Sequence, residues 1–313
     1  MKKKIRLYLY ILLLMLPLLS YSQDKIIVIN NLDSAYHSDD VTVNDFSEEL
    51  VLLDVPYGNH PKQKYDIYLP KSRSSKFTKV LILVHGGGWV AGDKSSMTEY
   101  ITYLQETNPD HAIVNMNYIR AKEGFHYAFP NQFYDIKNVI NTVKEKRNEY
   151  GILPSFGLIG RSSGAHISLM YDYIYDKTDD VKFVCSISGP TNFNHPYYTE
   201  RADFIYFLNI LVDQNIYPNI INNLEIISPA HQITKSSSPT ILFYGNNDPL
   251  VPITNALFLE NELIHNNIPN KLTIFDGGHG NWTNANMIDL KKKLSDFIDL
   301  HLPIMKLHSV SRI

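Results

Sequence analysis

Continuous apolar runs recur along this chain, with polar, helix-patterned stretches between them. Val80-Leu81-Ile82-Leu83-Val84, residues 112–117, residues 156–160, 181–187, 239–244 and 271–275 each read as a strand. Such unbroken apolar runs mark strands covered on both faces. Two earlier segments, Leu50 to Val55 and Lys64 to Leu69, read as strands joined through Pro56-Tyr57-Gly58-Asn59. From Asn131 to Tyr150 the apolar residues Phe133, Ile136, Val139, Ile140 and Val143 keep helical spacing. This alternation predicts an α/β fold, a mostly parallel sheet with helices on both faces. In such sheets the functional crevice lies beyond the carboxyl ends of the strands.

One interval breaks the rhythm. Between Ser188 and Pro239 there is no strand pattern, but Phe193, Tyr197, Tyr198, Phe204, Tyr206, Phe207 and Tyr217 crowd together. An irregular stretch of that length is functional or carries its own helices. Residues 190–236 are either a small helical cap over the crevice or one ordinary sheet-covering helix with long flanks. If these aromatics line an entrance, their apolar faces favour a ligand with an aromatic or short apolar part.

The first residues carry a different pattern. Met1 to Arg6 is cationic, Leu7 to Leu19 is apolar, and Ser20-Tyr21-Ser22 places small residues at the two cleavage positions. This is the form of a secretory signal ending at residue 22, and the apolar run is short for a membrane span. Residues 23–48 read as a leader, 49–302 as a catalytic domain and 303–313 as a tail. Export to the periplasm or the medium, without a stable membrane anchor after cleavage, is the expectation. Loss of Lys2, Lys3, Lys4 and Arg6 would move the formal charge from −3 to −7. An acidic chain is a poor partner for nucleic acid and repels strongly anionic substrates at long range. The single cysteine, Cys185, excludes an intramolecular disulfide, and its apolar surroundings read as a buried strand.

Chemistry concentrates at two glycine-rich turns. His85-Gly86-Gly87-Gly88-Trp89 follows one strand run, and Gly160-Arg161-Ser162-Ser163-Gly164 follows another. A G-x-S-x-G turn between strand and helix lifts one serine oxygen off the sheet edge, which makes Ser162 the candidate nucleophile. The N–H groups of Gly87, Gly88 and Ser163 are the candidate oxyanion hole, because bare backbone admits a substrate carbonyl. A serine hydroxyl needs a base, and His279 qualifies, following the run 271–275 among Gly277, Gly278 and Gly280. Asp248, after the run 239–244, is the candidate acid, with Asp276 as its rival. His85 and Trp89 are read as braces of the glycine loop, and His166 as packing below the turn. The order Ser162, Asp248, His279 is nucleophile, acid, histidine.

From about Glu49 to Leu302 the chain resembles the α/β-hydrolase superfamily. It is similar to the esterase/lipase branch with an H-G-G-x-W loop, which includes hormone-sensitive-lipase-like carboxylesterases, feruloyl-esterase-like enzymes and arylformamidases. The matching pieces are Asp66 to Pro70, His85 to Trp89 with Gly92-Asp93-Lys94, Asn117-Tyr118, Phe129-Pro130, the Ser162 turn, Asp248 before Val251-Pro252, and His279-Gly280. Ser163 departs from the alanine common at that place. The resemblance implies the α/β-hydrolase fold and hydrolysis without a cofactor, while substrate class varies among such enzymes. No H-E-x-x-H, cysteine cluster or phosphate-binding glycine loop occurs, so no metal or cofactor is expected. The expected activity is hydrolysis of a small-molecule or carbohydrate-linked carboxylic ester. The rivals are an amide-type hydrolase and an inactive hydrolase fold used for binding.

Overall fold

The eight apolar runs form one eight-stranded sheet in the computed structural model, which describes residues 46–305. The signal sequence, most of the leader and most of the tail lie outside the described residues. The strands are β1 (Leu50–Pro56), β2 (Lys64–Leu69), β3 (Val80–Val84), β4 (Ala112–Met116), β5 (Phe156–Arg161), β6 (Val181–Ile187), β7 (Thr240–Gly245) and β8 (Asn270–Phe275). Their order is β1-β2-β4-β3-β5-β6-β7-β8. β1 and β2 pair antiparallel at one edge, and β3 to β8 run parallel. This is a mostly parallel sheet of the α/β-hydrolase fold, with helical insertions.

Side chains alternate between two helical layers. Val80, Ile82 and Val84 of β3 join Leu158, Val184 and Leu242 in one core with helix α2 (Asn131–Glu145) and helix α7 (Thr254–His265). Leu81 and Leu83 point the other way, with Ile159, Phe183, Cys185 and Phe243, toward α1 (Thr98–Thr107) and α8 (Asn284–His301). Every residue of β3 is buried, as a strand between two helical layers must be. The predicted helix from Asn131 to Tyr150 is broken at Lys146 into α2 and a single turn, α3 (Arg147–Tyr150), closed by the left-handed Gly151 at φ 62°. Cys185 is fully buried, and burial pushes its thiol pKa up.

One ion cluster bolts the edge hairpin to the glycine loop. Lys94 Nζ donates to both carboxylate oxygens of Asp66 at 2.7 Å and lies 3.0 Å from Asp54. Next to it, Asn117 accepts from the Lys94 N–H at 2.7 Å and donates to Asp93 at 3.0 Å. The chain leaving the loop is thereby fixed against β2 and the end of β4.

Helix α4 (Ser163–Met170) is buried on all faces, so its single imidazole must be satisfied internally. Trp89 Nε1 donates to His166 Nδ1 at 3.2 Å, and His166 Nε2–H donates to the Ile227 carbonyl at 2.8 Å. Burial lowers the His166 ring to about 4, from 6.5 for a free imidazole. Between those values the unfolded chain holds a proton here that the folded chain lacks. The stability from this site is therefore complete above about pH 6.5 and is lost as pH falls toward 4. Buried Asp135 and Asp172, raised to about 6 and about 7, act in the opposite sense. A His166→Gln variant keeps both carboxyls and isolates the imidazole. Urea unfolding should show a wild-type stability that falls more steeply on acidification, by about 1.4 kcal/mol per pH unit. Coincident slopes for the two proteins would remove His166 from the account.

Candidate active site

The turn after β5 is shaped by crowding. A Cβ on Gly160 would lie 2.5 Å from the Cα of Ala165, and one on Gly164 would overlap the carbonyl oxygens of Val84 and His85. Glycine at both places lets α4 cross directly over the ends of β3 and β5. Ser162, between them, is forced to φ 54° and ψ −122°. A non-glycine residue held there costs on the order of 1–3 kcal/mol. Its N–H donates to the Ile187 carbonyl at 2.7 Å, which pins the turn to the end of β6.

The hydroxyl raised by this turn meets the loop after β8. Ser162 Oγ–H donates to His279 Nε2 at 2.8 Å, and His279 Nδ1–H donates to Asp248 Oδ2 at 2.6 Å. The second carboxylate oxygen, Oδ1, accepts the N–H groups of Leu250 at 2.8 Å and Val251 at 3.0 Å. The Asp248 side chain is withdrawn from solvent, while 14% of the His279 side chain is exposed. Three hydrogen bonds hold this buried carboxylate in one orientation. Asp276 is exposed and accepts from Asn247 at 3.3 Å instead. Ser162, Asp248 and His279 thus come together from the ends of three different strands, and the rival acid stays outside.

The loop after β3 passes over the same turn. A Cβ on Gly86 would lie 3.1 Å from the Ser162 Cβ. Gly87 and Gly88 have φ 130° and 57°, which glycine adopts without strain. Among the described residues, the N–H groups of Gly87, Gly88 and Ser163 donate to no acceptor. The loop is braced from below. His85 Nδ1–H donates to the Gly86 carbonyl at 2.6 Å, and its ring stacks on Tyr118 at 4.2 Å. Burial lowers the His85 ring to about 4, so it is neutral. Tyr118 Oη donates to the His85 carbonyl at 3.1 Å and lies 3.3 Å from Ser163 Oγ. Tyr118 was visible in sequence only as part of Asn117-Tyr118, with no role attached. Its position at the end of a buried strand was the available signal.

The aromatic interval holds helices α5 (Pro196–Thr199) and α6 (Ala202–Leu211) with three short 3₁₀ turns. Its rings divide. Phe193 and Tyr198 are buried, and Phe193 packs edge-on against Trp89. Tyr206 is exposed and bonds Glu123 at 2.9 Å. Tyr197 Oη donates to the Pro249 carbonyl at 2.5 Å, beside Asp248. Among the described residues no group of three or more His, Cys, Asp or Glu could hold a metal, and no helix is long and apolar enough to cross a membrane.

Comparison with known proteins agrees with this architecture. A family model described as BD-FAE matches residues 65–263. Esterase LipC of Mycobacterium tuberculosis is 25% identical over 214 residues, covering 64% of this chain and 52% of its own. Kynurenine formamidase of Danio rerio is 29% identical over 142 residues, covering 44% of this chain and 45% of its own. The chain spans about half the length of these curated relatives. A solved structure described as a truncated form of carbohydrate esterase from gut microbiota superposes with a TM-score of 0.63 at 20% identity, covering 81% of this chain and 98% of that one. At that identity the likeness concerns the fold alone. With most of its sheet inside the matched region, this α/β-hydrolase-fold chain of the esterase/carboxylesterase superfamily belongs to the BD-FAE family.

Proposed function

We propose that this chain is an exported serine carboxylic-ester hydrolase acting on small-molecule or carbohydrate-linked esters. The observation that carries the reading is the hydrogen-bonded line from Asp248 through His279 to Ser162, lying beside unpartnered backbone N–H groups. Ser162 Oγ attacks the ester carbonyl as its proton passes to His279 Nε2. Asp248 holds the ring tautomer and stabilises the imidazolium. The developing oxyanion accepts from Gly87, Gly88 and Ser163 N–H. His279 returns the proton to the leaving alcohol. Water, deprotonated by the same nitrogen, then releases the acid from Ser162. The cationic n-region and apolar h-region within residues 1–22 support export.

An inactive binding fold has no need of the strained Ser162 or of an acid buried behind the imidazole. The choice between ester and amide is made by turnover of matched pairs that share one acyl group. Faster ester cleavage is expected. A preference for the amide would move the assignment to an amidase.

Ser162→Ala should abolish turnover of a chromogenic acetyl ester while leaving the unfolding temperature unreduced, since the strain at φ 54° changes little. Only a residual of order 10³-fold over water is expected. Ser163→Ala should be far milder, because its N–H stays in place. Near wild-type rates from Ser162→Ala would end the mechanism.

Asp248→Asn should lower kcat by about 10⁴-fold, and Asp276→Asn by little. Steady-state kinetics of the two variants on one ester decide between the acids. Greater damage at Asp276 would reverse the assignment.

A further inference from the structure

Several inward-reaching cations among the described residues are matched. Arg73 donates to the carbonyls of Tyr150, Glu48 and Pro70. Lys94 lies between Asp66 and Asp54, and Lys144 is paired with Asp180. Arg161 lies next to the candidate nucleophile and is not among them. It is partly buried, stands immediately before Ser162, and makes no side-chain hydrogen bond or ion pair with any described residue. A half-buried guanidinium with no described partner leaves its fixed fork of N–H donors open to an anion.

Its position says which part of a substrate that anion belongs to. A Cβ on Gly280 would lie 3.1 Å from Arg161 Nη2 and 3.5 Å from Nε, so the guanidinium runs along the turn that carries His279. Its charge also reaches α1, where burial pushes the Tyr100 hydroxyl pKa up and Arg161 acts against it. His279 returns its proton to the leaving oxygen, so the leaving alcohol is seated beside the 279–280 turn. We infer that Arg161 is an anion-recognition position on the leaving-group side, and that the preferred esters carry a carboxylate on their alcohol portion. The planar fork of a guanidinium matches a carboxylate with two parallel hydrogen bonds. The acidic chain repels such a substrate at long range. Arg161 reverses that sign locally, at the one place where the leaving group is read.

This inference rests on the ester-hydrolase reading, and the test separates the two. Wild type, Arg161→Gln and Arg161→Lys are assayed on 3-carboxyphenyl acetate and its uncharged isostere 3-carbamoylphenyl acetate. The ratio of kcat/KM for the charged over the neutral ester should fall by about 10- to 100-fold in Arg161→Gln and recover in part in Arg161→Lys. A salt titration should lower the wild-type ratio and leave the Arg161→Gln ratio flat. An unchanged ratio, or equal losses on both esters, overturns the assignment. If wild type cleaves neither ester, the hydrolase reading fails by itself. Calorimetric titration with 3-hydroxybenzoate then decides the anion site. Binding to wild type that is lost in Arg161→Gln supports it, and equal or absent binding refutes it.

Discussion

The head of the sheet is organised by one close approach of backbone to backbone. Helix α4 crosses β3 and β5 at a separation that excludes a Cβ at Gly160 and Gly164. That crossing leaves Ser162 no ordinary conformation, and the left-handed φ of 54° is the result. The strain is held by elements that are themselves immobile, a helix buried on every face and a strand buried end to end. A loosely packed helix would relax the turn and drop the hydroxyl back toward the sheet. Packing far below the serine is therefore what keeps its oxygen within 2.8 Å of His279.

Two kinds of polar order surround this point, and they differ in what they tolerate. Beneath the glycine loop, His85 and His166 are neutral rings in apolar surroundings, each tied to a backbone carbonyl. They act as rigid spacers, and a proton on either would be an uncompensated buried charge. Above the loop, His279 keeps some solvent exposure and faces a buried carboxylate. The fold thus separates two fully buried imidazoles from one that reaches both solvent and a carboxylate.

The strands were legible because a parallel strand covered on both faces has to be apolar throughout, and β3 and β6 match their runs to the residue. Ser162 and the glycine loop were legible because their geometry demands glycine at fixed offsets. The break at Lys146 was not, since helical spacing continues through it and only Gly151 closes the chain. The bond from Trp89 to His166 joins residues far apart in sequence, which no local pattern encodes. The aromatic interval was the least readable part. Phe193 and Tyr206 look alike in sequence, and tertiary packing alone makes one a core residue and the other a surface one. That no described residue pairs with the Arg161 side chain is likewise a statement about neighbours, and composition is blind to it.

The bond from Tyr197 to Pro249 couples two parts of the molecule with different duties. One end belongs to the short helix of the aromatic segment, and the other to the loop whose next N–H groups orient the Asp248 carboxylate. An outward swing of that segment would pull on the acid's own support. The bond therefore ties the packing of the aromatic segment to the geometry of the loop that holds Asp248.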